Sequence, residues 1–455
     1  MIRSVGPALV RTVRHFFPDL PAWLNGLPDT RHQPMVVYPT AFLFWWGLSA
    51  FLFKLGSRRQ LDYELRDLHT DVLSNLNRLA GAAVETLPVH QTLDHFVHHV
   101  GSSPFADLRT QMMRRLIRMK TLEDARLAGA YVVCFDGTGM LTFRDRHCPF
   151  CLTAKQGNTT LYFHTVLEAK LVTPSGLCLS MGTEFLENAP QVSAVPDTET
   201  CRQDCELKAF ERLAESLKRD FPQTPICLAG DSLYACGPVL TIAEEQGWSY
   251  VLTFKEGRMP DVWKEFQALL HLVPENTLSM KLVDGTEQLY RWVNDLSYKD
   301  DRGRSHVFSA FSCQEKQRDG TTRFFAWITD HRVSSHNVAE LATKGGRIRS
   351  AIENEGFNMQ KNSGLNLEHA YSKNWEREKA YYYLLQIGHL ILQLLEKGGL
   401  LEQMARSAKK TVVQLFGSLK NVARRLLDSF RFSVIPDEAF DPLKAAGIRV
   451  RLDTS

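Results

Sequence analysis

Tyr131-Val-Val-Cys-Phe-Asp136, followed by Gly-Thr-Gly, is the stretch on which the fold turns. Its β-branched and aromatic residues predict a buried strand, and the strand ends on a carboxylate with glycines beyond it to let the chain turn. Pro225-Ile-Cys-Leu-Ala-Gly-Asp231 repeats that design almost a hundred residues later. A third acid, Glu353, lies in Arg347-Ile-Arg-Ser-Ala-Ile-Glu-Asn-Glu-Gly-Phe357, which reads as helical. A carboxylate at the mouth of a buried strand is held rigidly, and three such groups brought together repel one another unless they share cations. The pattern therefore predicts an oxygen-donor site for divalent metal.

Working outward from Tyr131, the periodicity predicts strands at 131–136, 161–173 and 177–185, then an amphipathic helix over 198–220. A strand at 226–230, a helix at 238–246 and a strand at 248–254 follow. Between 257 and 322 the chain alternates short apolar runs with Gly and Asp turns, which predicts a β-rich insertion, and a strand resumes at 323–329. The expected fold class is α/β, with helices covering both faces of a sheet. Residues 1–128 carry helical periodicity and almost no strand signal. Residues 374–455 read as helical and basic, beginning with a helix capped by Asn374. The expected organisation is a helical N-terminal region (1–128), a core (129–256 and 323–373) interrupted by the insertion (257–322), and the helical tail (374–455).

The net charge of the 455-residue chain is only +3, so affinity for a polyanion has to come from local patches. Seven Lys or Arg residues between Arg406 and Arg431 face one acid, Asp428, and Arg114, Arg115, Arg118 and Lys120 form a second cluster; a solvated helix face accounts for either equally well. Nine cysteines with no secretory leader fit a reducing, cytoplasmic setting. The apolar run 41–53 is shorter than the ~20 residues needed to cross a bilayer and predicts a buried helix, so no membrane association is expected.

Three pieces carry a resemblance to a known family: Phe-Asp-Gly-Thr-Gly (135–139), Gly-Asp-Ser-Leu-Tyr-Ala (230–235) and Arg-Ile-Arg-Ser-Ala-Ile-Glu-Asn-Glu-Gly-Phe-Asn-Met-Gln-Lys-Asn (347–362). The chain resembles the DDE-class transposases of bacterial insertion sequences, in the branch with a β insertion and a Y-R-E-K-type signature. The resemblance implies a ribonuclease-H-like core in which Asp136, Asp231 and Glu353 hold two Mg²⁺ or Mn²⁺ ions and catalyse strand cleavage and strand transfer. It implies DNA contacts for Arg349 and Lys361, DNA binding by the N-terminal region, and DNA partners comprising the element's terminal inverted repeats and its target. A homo-oligomer on paired ends, in the bacterial cytoplasm and associated with the nucleoid, is part of the same expectation. Arg349 precedes Glu353 by one helical turn, as the signature requires; Lys361 follows it by eight residues where the family has seven, and Gly346 stands in the tyrosine position.

Other readings stay open beside this one. A nuclease on the same core would cut without joining, and a catalytically silent derivative would only bind DNA. Glu355 competes with Glu353, because residues two apart on a helix point in nearly opposite directions. Cys148-x2-Cys151 with Cys201 and Cys205 could hold a structural zinc, or be ordinary buried thiols. His95, His98 and His99 share helical spacing and are expected on a surface. Gly137 and Gly139 are not followed by G-K-[ST], which argues against ATP. Trp375, Arg377, Lys379 and Tyr381–Tyr383 suit either a DNA path or a packed core.

Overall fold

One mixed sheet of eleven strands runs through the computed structural model, which describes residues 5–66, 70–188, 204–441 and 448. The strands are β1 (Arg126–Leu127), β2 (Ala130–Phe143), β3 (Leu152–Gln156), β4 (Thr159–Val172), β5 (Cys178–Leu186), β6 (Ile226–Gly230), β7 (Ser249–Thr253), β8 (Thr277–Lys281), β9 (Glu287–Lys299), β10 (Ser305–Lys316) and β11 (Thr322–Thr329). β2, β4 and β5 form an antiparallel meander, and β6 and then β7 add in parallel to the free edge of β2. The spatial order of these five is β5-β4-β2-β6-β7. β6 is buried at every position, as a parallel strand covered on both faces must be.

The insertion does not fold apart from the sheet. β11 pairs antiparallel with β7, and β10, β9 and β8 continue outward from it, so the sheet is extended past the second acid. A helix, Pro260–Leu269, precedes these strands in a stretch whose sequence reads as β-rich.

Alternation along the strands sorts the core into two layers. Tyr131, Val133, Phe135, Ile226 and Leu228 face the larger apolar cluster. Val132, Cys134, Cys227 and Ala229 face a second one, closed by Val338, Leu341, Ala342, Ile352 and Phe357. The larger layer is helical. Its centre is Trp375–Lys397, capped by Asn374 through the Arg377 amide and packed on Thr40–Leu52. A Cβ on Gly388 would come within 2.9 Å of Phe51, so glycine permits that close approach. The apolar run around Trp45 is thus a buried helix, and no helix among the described residues is long and apolar enough to cross a membrane.

The two helical ends of the chain pack on each other. Asn75 donates to the carbonyls of Phe430 and Ser433 and accepts from the Ile435 amide, the Gly6 amide donates to Ser429 Oγ, and Arg431 pairs with Glu64. Part of the basic tail is therefore spent inside the molecule: Arg431 is buried, while Arg406 stays exposed in a pair with Glu402.

Candidate active site

Sheet register brings the first two acids together. β2 and β6 run parallel with Cys134 opposite Ala229, so two residues further on Asp136 and Asp231 stand side by side. Asp231 lies just past the end of β6, whereas Asp136 is midway along β2, which stays paired with β4 as far as Phe143 and does not end and turn after Asp136 as its sequence suggests. By the same alternation both belong to the face that carries Cys134 and Ala229, which residues 338–362 cover.

That covering segment is helical but not a regular α-helix. It passes through wide π turns at Leu341–Gly346 and Ile352–Asn358, joined by a tight 3₁₀ turn at Arg347–Arg349. Ile352, Gly356 and Phe357 point into the sheet, and the polar residues between them are left at the rim. Arg349 donates to Glu353 Oε1 at 2.7 Å and to Asp136 Oδ2 at 3.3 Å, so one guanidinium bridges the first and third acids. Glu355 faces elsewhere: it lines a separate cavity with Lys54, His389 and Glu396. The geometry therefore brings Glu353, and not Glu355, to Asp136.

A fourth carboxylate completes the group. Glu206, the first residue of the helix Glu206–Asp220, lies over Gly137, where any Cβ would sit 2.3 Å from its Oε1. Tyr234 OH donates to Glu206 Oε2 at 3.3 Å, which ties this helix to the turn after Asp231. Burial raises the Glu206 pKa, and Asp231 adds to the rise. Asp136 is pushed up to about 7, chiefly by burial; Arg349 opposes the rise, while Glu353, Glu206 and Asp231 reinforce it. These are acids crowded around one guanidinium, with more negative charge than that single cation offsets. Sequence reasoning missed Glu206 because an acid in the first turn of an amphipathic helix is an ordinary feature.

The oxygens of Asp136, Asp231 and Glu353 are not all drawn within 4.8 Å of one another. Among the described residues the group of His, Cys, Asp and Glu ligand atoms that meets this limit is Cys148, Cys151 and His164. Cys205 is exposed ahead of the helix Glu206–Asp220 and is not in that group, while Cys201 and residues 198–203 of the expected helix lie outside the described residues. Of the four cysteines expected from sequence, Cys148 and Cys151 thus meet a histidine from β4 among the described residues.

Lys361 forms an ion pair with Glu368 at 2.7 Å and with none of the three acids. His95 and His99 approach each other at 3.2 Å on the surface of their helix and belong to no metal group. The residues following Asn374 serve the interior: Arg377 pairs with Asp94, Lys379 with Glu187, and Tyr381, Tyr382 and Tyr383 are buried.

Beside Arg349 opens a cavity of about 640 Å³ whose wall combines Phe254, Trp263, Phe324, Phe325 and Trp327 with Lys255 and Arg347. Phe324 is largely exposed, and the Arg347 guanidinium lies 4.4 Å from the centre of the Phe325 ring. Aromatic planes interleaved with cations are the surface that single-stranded bases and phosphates recognise. Set against known proteins, the chain matches no family model and no curated protein.

Proposed function

We propose that this chain is a DNA transposase with a ribonuclease-H-like core, which cleaves the ends of an insertion sequence and joins them to target DNA. The observation that carries the reading is the juxtaposition of Asp136 and Asp231 on adjacent parallel strands, with Glu353 linked to Asp136 through Arg349. The order β5-β4-β2-β6-β7, an antiparallel meander followed by two parallel additions, supports the core assignment. Fold alone would not choose among activities, and the acidic site supports phosphoryl transfer.

The donor set fits a hard divalent cation, because every candidate ligand is a carboxylate and the cluster carries an excess of negative charge that burial makes costly. Asp136, Asp231 and Glu353 would hold Mg²⁺ or Mn²⁺, with Glu206 next to the first two. A pair of such ions, when bound, supplies Lewis-acid activation of an attacking hydroxyl and stabilises the leaving oxygen of a phosphodiester. The chain's own residues fix the two aspartates on adjacent strands, keep Arg349 where a phosphate can meet it, and offer the aromatic cavity for an unpaired base. Lys361 is a second phosphate contact in this reading. Joining two ends to one target calls for two active centres, so the enzyme works as an assembly of copies on paired DNA ends.

The test uses the full chain, Mg²⁺ or Mn²⁺, and a duplex taken from the inverted repeats that flank the reading frame, supplied with a pre-cleaved 3′-hydroxyl. Joining of that 3′ end to a second duplex is the expected result. Cutting without joining would instead identify a nuclease, and DNA binding with neither would identify a silent derivative. Asp136→Asn and Asp231→Asn should abolish cleavage and joining while sparing DNA affinity. A variant that nicks at the normal rate overturns the role of its residue.

A further inference from the structure

We propose that Cys148, Cys151 and His164 form a zinc site that staples the connection between β2 and β3 to the sheet. The site is distinct from the acidic one: His164 lies four residues before Glu168, the β4 partner of Asp136, roughly 13 Å away along the strand.

The argument begins with distances. The two sulfurs are 3.6 Å apart, and His164 Nε2 is 3.3 Å from Cys148 Sγ and 3.4 Å from Cys151 Sγ. Tetrahedral zinc, with Zn–S near 2.3 Å and Zn–N near 2.0–2.1 Å, separates its ligand atoms by roughly 3.8 Å for S–S and roughly 3.6 Å for S–N. The observed triangle is that shape, contracted by about 0.2–0.3 Å on each side. Both cysteines are free thiols, and their sulfurs are much farther apart than the roughly 2.05 Å of a disulfide.

The fold arranges this triangle independently of any ion. Cys151 directly precedes β3, and Leu152 pairs with Phe163, so sheet register sets His164 beside the cysteines. Asn188 holds the loop from the other side, its amide donating to the Phe150 carbonyl at 3.1 Å and its side chain to the Cys151 carbonyl at 3.0 Å. The His164 ring stacks on Trp375 with centroids 3.7 Å apart, which fixes its plane. Donors aimed at one point by a prepared scaffold are the mark of a ligand site, and two sulfurs with an imidazole select zinc over magnesium. His164 and Cys151 are buried and Cys148 is half-buried, and the three leave one position of a tetrahedral zinc for a further ligand. On binding, two S–H bonds break and their protons pass to solvent. Both sulfurs then ligate as thiolates, and the His164 Nε2 lone pair completes the protein's share. The two thiolate charges balance Zn²⁺, and nothing is oxidised or reduced.

The experiment is metal analysis of the full chain expressed in zinc-supplemented medium and purified without chelator. About one zinc per chain is expected, lost in Cys148→Ser and His164→Ala and retained in Cys205→Ser. To separate metal binding from misfolding of His164→Ala, metal-stripped wild-type chain is also titrated with Co²⁺. Thiolate-to-cobalt charge transfer in the near ultraviolet, together with visible bands of a tetrahedral centre, supports the site. Four results overturn it: wild-type chain free of zinc and lacking those bands, zinc retained by Cys148→Ser/Cys151→Ser, zinc lost from Cys205→Ser, or isolation only as a Cys148–Cys151 disulfide.

Discussion

Replacing Lys170 by methionine should cost about 3–5 kcal/mol of folding stability, because it leaves a buried carboxylate without its cation. Both side chains of the Glu168–Lys170 pair are fully buried, with Nζ 3.2 Å from Glu168 Oε2. At that separation and an effective dielectric of about 20, the gross attraction is roughly 5 kcal/mol. Methionine keeps most of the stem, so no large cavity opens and the loss is one of charge. Lys170 Nζ also donates to Gln386 Oε1 at 2.9 Å, and that contact goes with it. Glu168 keeps the hydroxyls of Thr183 and Tyr382, which moves the expected cost toward the lower end, about 3 kcal/mol. The double variant Glu168→Gln/Lys170→Met removes both charges and retains shape, and should lie within about 1–2 kcal/mol of wild type. Urea unfolding at neutral pH, followed by tryptophan fluorescence, gives the three values needed for the cycle. A single variant costing under about 1 kcal/mol, or a double variant no better than the single, would refute the reasoning. The pair also matters to the acidic site. Glu168 is the strand partner of Asp136, and the Lys170 stem lies 3.3 Å from where a Cβ of Gly356 would be, directly beneath the segment that carries Glu353.

Two further expectations follow from the same geometry. Glu353→Gln should suppress metal-dependent cleavage by two or more orders of magnitude, whereas Glu355→Gln should leave it within a few-fold of wild type; equal losses measured on one DNA substrate would contradict the assignment of the third acid. Glu378 is buried and its pKa is pushed up to about 8 by desolvation, against backbone amides that lower it. Its folded value exceeds the ordinary 4.5, so the native state holds the proton more tightly, and this contribution to stability is complete below about 4.5 and lost as pH rises through about 8. Glu378→Gln should therefore be stabilised relative to wild type by a few kcal/mol at pH 9 and by little at pH 5. Unfolding curves whose difference does not change between those pH values would disprove the link.

Much of the sheet was legible because burial writes itself into residue type. Ile226–Gly230 is apolar throughout, flanked by Pro225 and Asp231, and its observed limits coincide with the expected ones. β3, Leu-Thr-Ala-Lys-Gln, was not legible: it is an edge strand, mostly exposed, with no apolar repeat to announce it. His164 was equally silent, since nothing in sequence says that a strand residue thirteen positions after Cys151 turns back over it; strand pairing does that. Glu206 reaches the acids because its helix lands on Gly137, a contact between segments that local pattern does not contain.

The glycine at 346 has a physical reason. A Cβ at that position would come within 2.2 Å of Trp327 Nε1, and one on Gly345 within 2.6 Å of Val251, so the glycine pair lets the covering segment lie flat on β7 and β11. A tyrosine cannot occupy Gly346 unless Trp327 leaves, and Trp327 is buried in the face that this segment closes. Trp327 belongs to β11, the strand through which the insertion rejoins β7. The glycine and the indole are thus complementary: β11 supplies a large aromatic surface, and the covering segment has a glycine where it seats on it. The tight turn and then the wide turn that follow carry Arg349 and Glu353 out to the rim beside Asp136, so the glycine pair and the position of Glu353 have the same origin in packing.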